Sequence, residues 1–199
     1  MSTIKIGSAS ELKGITVNPL ITLFNGKNVK AIFKDNTLIW AQPLYLYNQG
    51  DENIDITGGW TMSTTVGNFG LSSPYTSGTA TKNSSTLYFG DNSTSNYAVG
   101  GAYTKNYIDL TNYSTLEFAL SCTYNNAANA GDSAVFAVFI EDENGLREQI
   151  FYKANYTTSG TQTINISSYS GRYRIKMCSY SGAMVGNTIL TTVKKVKIK

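Results

Sequence analysis

The 199-residue sequence contains no histidine, only two cysteines, three prolines and three arginines, Arg147, Arg172 and Arg174. Without imidazole there is no Ser-His or Cys-His nucleophile and no histidine metal ligand. Most hydrolase mechanisms therefore fall, and only paired carboxylates would be left to an enzyme; a non-enzymatic protein is expected. Two cysteines cannot build a disulfide framework. Scarcity of arginine argues against base-specific contacts, so no nucleic-acid partner is expected. Charged residues make up 15% of the chain and the net charge is +3, too small to imply a strongly acidic partner. No apolar run reaches the roughly 18 residues of a membrane-crossing helix, so no membrane span is expected. Residues 1–7, Met-Ser-Thr-Ile-Lys-Ile-Gly, lack the apolar stretch of a secretory signal, which implies synthesis in a cytoplasm.

What is abundant points to strands. The chain holds 20 Ser, 24 Thr, 19 Asn and 14 Tyr, with few strong helix formers, which is the composition of an all-β protein. A hydrophobic content of 41% and an aromatic content of 12% exclude a disordered chain.

Residues 15–40 read as a three-stranded meander. Ile21-Thr22-Leu23-Phe24 joins Asn28–Phe33 through Asn25-Gly26, a pair that tolerates the positive φ of a tight hairpin turn. Asp35-Asn36 then turns into Thr37-Leu38-Ile39-Trp40. A unit of this size buries little surface alone, so Phe33, Leu38, Ile39 and Trp40 are the candidate assembly contacts. Pro43 marks a boundary at residues 41–43, separating an N-terminal docking segment, 1–42, from a domain over 44–199.

From Leu44 onward short strands alternate with polar turns, at 44–48, 53–57, 60–65, 85–90, 97–103, 106–110, 115–124, 133–141, 147–153, 161–167, 171–180 and 188–198. Ala134–Ile140 is apolar on both faces and reads as a central buried strand. So many strands without a long helix predict two packed antiparallel sheets, a sandwich or jelly roll. The Ser/Thr/Gly/Pro-rich stretch 71–84, which holds Tyr75, reads as a long loop, of a size that is usually functional or disordered. Strand parity puts Cys122 with Leu116, Phe118 and Leu120 on a core face, and Cys178 with Arg174 and Lys176, so no disulfide is expected. At the C-terminus, Val196 and Ile198 point inward while Lys195, Lys197 and Lys199 form a solvated face. Glu141-Asp142-Glu143-Asn144-Gly145 reads as a hairpin tip, not a catalytic pair.

Three stretches carry a family resemblance: Leu44–Glu52 with Thr57-Gly58-Gly59-Trp60, Tyr107–Leu116, and Ile164–Tyr173. They resemble the galactose-binding-like jelly rolls of carbohydrate-binding modules, in the versions found in phage and prophage structural proteins of low-GC Gram-positive bacteria. The short strands before them resemble the segments by which such proteins attach to a tail, baseplate or capsid. The resemblance implies an antiparallel β-sandwich displayed on a virion, with residues 1–42 docking to other virion proteins, and a homo-oligomer. It also implies a second reading, a module recognising bacterial surface glycans.

The candidate sugar-stacking residues are Trp60, Tyr75, Tyr103 and Tyr180. Trp60 follows Gly58-Gly59, and both core packing and a sugar platform suit it. Related sandwiches hold a structural calcium, for which Asp51, Glu52 and Asp55 are the local candidates; no other cofactor is expected.

Overall fold

In the computed structural model the described residues are 4–6, 31–34, 37–41, 43–72, 75–91, 98–125, 134–154, 157–181 and 188–199. They fall in two compact units, Met1–Leu44 with Lys199, and Tyr45–Ile198. The first contains β1 (Ile4–Ile6), β2 (Ala31–Lys34) and β3 (Thr37–Ala41), in the antiparallel order β1-β2-β3. On the side away from β3, β2 pairs with Ile4–Ile6; the expected strand Ile21–Phe24 and the Asn25-Gly26 turn lie outside the described residues. Of the candidate assembly residues, Phe33 lies in β2 opposite Leu38 of β3. A register shift between Ile32 and Phe33 sets Trp40 opposite Ile32 and leaves Ile39 as the extra residue of a bulge.

The second unit is a sandwich of two sheets. Its strands are β4 (Leu44–Asn48), β5 (Trp60–Ser63), β6 (Thr76–Ser77), β7 (Thr79–Lys82), β8 (Leu87–Asp91), β9 (Ala98–Thr104), β10 (Ile108–Asp109), β11 (Thr115–Asn125), β12 (Val135–Asp142), β13 (Arg147–Ala154), β14 (Thr158–Asn165), β15 (Arg172–Tyr180) and β16 (Thr188–Ile198). A seven-stranded sheet has the order β13-β12-β15-β9-β5, with β10 added to β15 and β6 to β9. A six-stranded sheet has the order β14-β11-β16-β8-β7, with β4 added to β16. Strands distant in sequence are neighbours, as a jelly roll requires.

Aromatic rings fill the space between the sheets. Phe136 lies 6.5 Å from Phe89 and 5.8 Å from Phe118, and Phe151 meets Phe118 at 5.5 Å. Ile140, Ile175, Met177, Val193, Val196 and Ile198 complete the layer, all buried. Two hydroxyls trapped there are paired: those of Ser179 and Thr191 lie 2.7 Å apart across the sheets, and Thr191 donates to the Cys122 sulfur at 3.3 Å. Val196 and Ile198 face inward as expected, while Lys197 pairs with Glu117 at 2.7 Å.

Two local expectations are corrected. Residues 53–57 are not a strand; Ile54–Thr57 form one helical turn, with Thr57 N–H donating to Asn53 O at 2.9 Å and Gly58 ending the turn at φ +66°. The alternating Ile54 and Ile56 imitate a strand, but Ile54 is 68% exposed. The stretch 71–84 is not wholly loop, since it contributes β6 and β7.

Candidate functional site

Period-2 alternation splits β12 between two faces. Phe136, Val138 and Ile140 enter the sandwich core. Val135, Ala137, Phe139 and Glu141 point the other way and stand opposite Tyr180, Cys178, Lys176 and Arg174 of β15. The ladder continues to β9, where Val99, Gly101 and Tyr103 stand opposite Tyr180, Cys178 and Lys176. One outer face of the seven-stranded sheet therefore gathers an apolar floor, a charged group and several tyrosines.

The chain covers the middle of this face with its own residues 64–71. Val66–Phe69 form a 3-10 turn that Gly70 ends at φ +74°. Phe69 is buried on the floor of Val99, Val135, Ala137, Phe139 and Cys178, with Val66 and Leu71 at its margin. Two cations clamp this strap from below: Lys176 donates to Asn68 O at 3.0 Å and Arg147 to Gly67 O at 3.4 Å. Both also bind one carboxylate oxygen, Glu141 Oε2, at 2.6 Å. Glu141 is thus not part of the hairpin tip; it is 7% exposed, and the solvated turn is Asp142–Gly145, where Asp142 accepts the Asn144 and Leu146 N–H groups. Burial by itself would raise the Glu141 pKa, but hydrogen bonds and charge from Lys176 and Arg147 outweigh it and hold the carboxyl below its ordinary range. Burial draws the Lys176 ammonium below its ordinary range, and Glu141 opposes that shift.

Tyrosines remain at one end of the face. Tyr75 and Tyr180 meet edge to face with centroids 5.3 Å apart, both half-buried. Tyr152, which pairs with Ala137 across the sheet, is 46% exposed. Burial pushes the Tyr180 hydroxyl upward, and nearby Cys178, Tyr152 and Tyr75 add to the shift. Tyr103 lies beside the strap instead, edge on to Phe69 at 6.5 Å and 5.6 Å below the Lys176 ammonium. So three of the four expected stacking residues share one face. Trp60 does not join them: it is 2% exposed, edge on to Tyr47 at 6.5 Å, and its indole N–H donates to Leu46 O at 3.0 Å. The sugar-platform assignment for Trp60 is therefore corrected to core packing, because no ligand reaches a ring sealed between strands.

The expected metal residues are divided. Asp51 and Asp55 line a shallow cleft of about 430 Å³ with Tyr45, Asn48, Asn53 and Ile54. Glu52 is engaged elsewhere, pairing with Lys82 at 2.6 Å and accepting the Trp60 N–H at 3.3 Å. Among the described residues, no group of three His, Cys, Asp or Glu side chains is placed to hold a metal ion. The grouping of Asp51, Glu52 and Asp55 as one ligand set is corrected accordingly. Both cysteines are free and buried, Cys122 between the sheets and Cys178 under the strap.

Phe69 and the Glu141–Lys176–Arg147 group were not singled out from sequence, whereas Tyr152 belongs to a set of tyrosines too numerous for a core, some of which are expected on an exposed face. Alternation in β13 separates Tyr152 and Ala154 from the core ring Phe151; no signal marks Phe69, whose neighbours Gly67, Asn68 and Gly70 read only as a turn.

No protein-family model and no curated protein sequence matches the chain. Among solved structures, a lysine-to-alanine variant of the family 29 carbohydrate-binding module CBM29-2 is similar at 8% identity and TM-score 0.48, over 80% of this chain and 92% of that one. A carbohydrate-binding module of the β-sandwich superfamily, studied for promiscuous specificity, is 10% identical with TM-score 0.45, over 86% of this chain and 69% of that one. The enzymatically active domain of bacteriophage CBA120 tailspike protein 4 is 11% identical with TM-score 0.43, over 78% of this chain and 22% of that one.

Proposed function

We propose that Tyr45–Ile198 is a non-catalytic carbohydrate-binding sandwich whose ligand lies against the tyrosine end of the outer sheet face. One observation carries this reading: Tyr75, Tyr152 and Tyr180 gather beyond the strap, two of them in edge-to-face contact at 5.3 Å and the third 46% exposed. Rings held by their neighbours and still partly uncovered offer a flat apolar surface at low entropic cost, with hydroxyls at its rim. A pyranose presents the complementary pair, an apolar ring face and an equatorial belt of hydroxyls. Affinity electrophoresis against a panel of bacterial surface polysaccharides tests the reading. Retardation of the parent protein, weakened at least about tenfold in Tyr152→Ala and Tyr75→Ala at unchanged melting temperature, is expected. A panel that retards neither parent nor variants sinks it.

A second, compatible reading concerns the first unit. The strands described in it are only three, four and five residues long, and a sheet built from such short strands alone is marginally stable in water. Such a sheet gains stability from a partner. We infer that residues 1–42 dock, through Phe33, Leu38, Ile39 and Trp40, to other subunits of a phage particle. The sandwich is then displayed in several copies on a virion made in the bacterial cytoplasm. The family resemblance in the sequence supports the reading, as does the division of the chain into two compact units at Leu44. Particles assembled with a chain lacking residues 1–42 should exclude it; normal incorporation would refute docking.

A further inference from the structure

At the end of the outer face opposite the tyrosines, Arg174 is held in place without an acidic partner. Its guanidinium carbon lies 4.4 Å above the centre of the Tyr107 ring, and its Nε–H donates to the Lys105 carbonyl at 3.1 Å. Glu141 stands opposite Arg174 in the strand register, but its carboxylate is bound by Lys176 and Arg147. Among the described residues, neither Arg174 nor Lys105 forms a salt bridge, whereas Arg172 beside them is paired with Glu143 at 2.7 Å. Arg172 also donates to the Tyr107 carbonyl at 3.4 Å, so both arginines brace the same turn. Five cationic side chains, Lys105, Arg147, Arg172, Arg174 and Lys176, thus collect at this end of the sheet and its adjoining turn against four carboxylates, Glu141, Asp142, Glu143 and Asp109, the last standing opposite Arg172.

We infer that this end of the face is an anion-binding subsite, built on Arg174 and Tyr107, that selects a glycan bearing carboxylate or phosphate groups. The inference rests on the carbohydrate-binding reading and deepens it by naming the ligand class. Stacking on Tyr107 and the bond from Nε fix the plane of the guanidinium, so its terminal N–H groups lose little freedom on meeting a planar or tetrahedral oxyanion. Attraction to an anion comes from Arg174 and Lys105 themselves, the two cations here that form no salt bridge among the described residues. Lysine could not replace this arginine, because an ammonium neither stacks in the same plane nor donates a parallel pair of hydrogen bonds.

Titration calorimetry with the full chain tests the inference using four polymers: polygalacturonate, a polyglycerol phosphate, an uncharged dextran and single-stranded DNA. The variants are Arg174→Ala, Arg174→Lys and, as a charge-matched control on the far sheet, Lys194→Ala. Binding of one or both acidic glycans, at least about tenfold tighter than dextran and weakening as salt rises, is expected. Both Arg174 variants should lose most of that preference at intact melting temperature, and Lys194→Ala should keep it. Selectivity for polygalacturonate over polyglycerol phosphate identifies a carboxylate ligand, and the reverse a phosphate. The subsite is refuted if Lys194→Ala loses as much as Arg174→Ala, or if DNA binds as tightly as the acidic glycans. Dextran bound as tightly as the acidic glycans, and equally by Arg174→Ala, would end this inference and leave the carbohydrate reading standing. No binding to either acidic glycan would end this inference, and the polysaccharide panel would still decide the carbohydrate reading.

Discussion

Phe69 occupies the space that a side chain at position 101 would need: a Cβ built on Gly101 falls 2.5 Å from the Phe69 ring. The strap and the strand beneath it are therefore matched to one another, the bare backbone of Gly101 forming the seat of the ring. This contact explains why β12 is buried on both faces although only one of them meets the second sheet.

Removing the ring should uncover what lies beneath it. Phe69→Ala is expected to cost about 3–5 kcal/mol, the range for deleting a buried phenylalanine side chain. It should also expose Cys178, whose thiol is kept protonated and inert by burial in the parent. Native-state labelling with an aromatic disulfide reagent is expected to modify no thiol in the parent and one in the variant, identified as Cys178 by peptide mass. Labelling at Cys122, or none, would show that the strap is not what shields Cys178.

Glu141 couples the strap to pH. Its folded-state pKa is held below the ordinary 4.5, so it stabilises the fold above that value, and the contribution is lost as pH falls through the lower folded-state value. The parent should lose melting temperature steeply over that acidic window. Glu141→Gln leaves Lys176 and Arg147 without their counter-charge, which for a buried pair costs about 3–5 kcal/mol at neutral pH. Its melting temperature should then be low at pH 7 and flatter on acidification. Parallel acid curves for parent and variant would remove Glu141 from the clamp.

The two sheets were legible because their determinants are local. Alternation in Leu116–Cys122 and Val196–Ile198, the doubly apolar Ala134–Ile140 and the Asn144-Gly145 turn each announce a strand or its end within a few residues. Parity likewise placed Cys178 with Arg174 and Lys176. The strap was not legible, because its one anchoring ring, Phe69, takes its meaning from Gly101 and Val135, contacts that no window of sequence contains. Glu141 misled for a related reason: read with Asp142 and Glu143 it is a solvated acidic run, whereas the pleat turns it alone toward Lys176. Ile54 and Ile56 show the opposite failure, a strand-like pattern overridden by Gly58 at positive φ. Tyr75 joins Tyr180 only because β6 runs parallel beside β9, a pairing between distant segments.

Trp60 separates packing from recognition. Its indole N–H satisfies the Leu46 carbonyl inside the fold, so Trp60→Phe leaves that acceptor unpaired and should lower stability by about 1–3 kcal/mol. Glycan affinity of the folded variant should match the parent within a factor of two or so, since about 0.4 kcal/mol is such a factor. A loss comparable to that of Tyr152→Ala would return Trp60 to the binding surface.

Calcium is expected to leave the sandwich unchanged. A hard cation needs six to eight oxygen ligands, including enough carboxylate charge to replace its water shell. In the cleft beside β4, Asp51 and Asp55 are joined by the side chains of Asn48 and Asn53, the latter held by donation from its Nδ2 to the Tyr45 carbonyl at 2.7 Å, and two carboxylates are too few. Glu52, which would supply the third carboxylate, is neutralised by Lys82 and tied to the Trp60 backbone, so recruiting it would break an ion pair and a hydrogen bond at the start of β5. Melting curves recorded with millimolar calcium and then with excess chelator should therefore superimpose. A rise with calcium that chelation reverses, and that Asp51→Asn abolishes, would show that the loop rearranges to gather the ligands it lacks here.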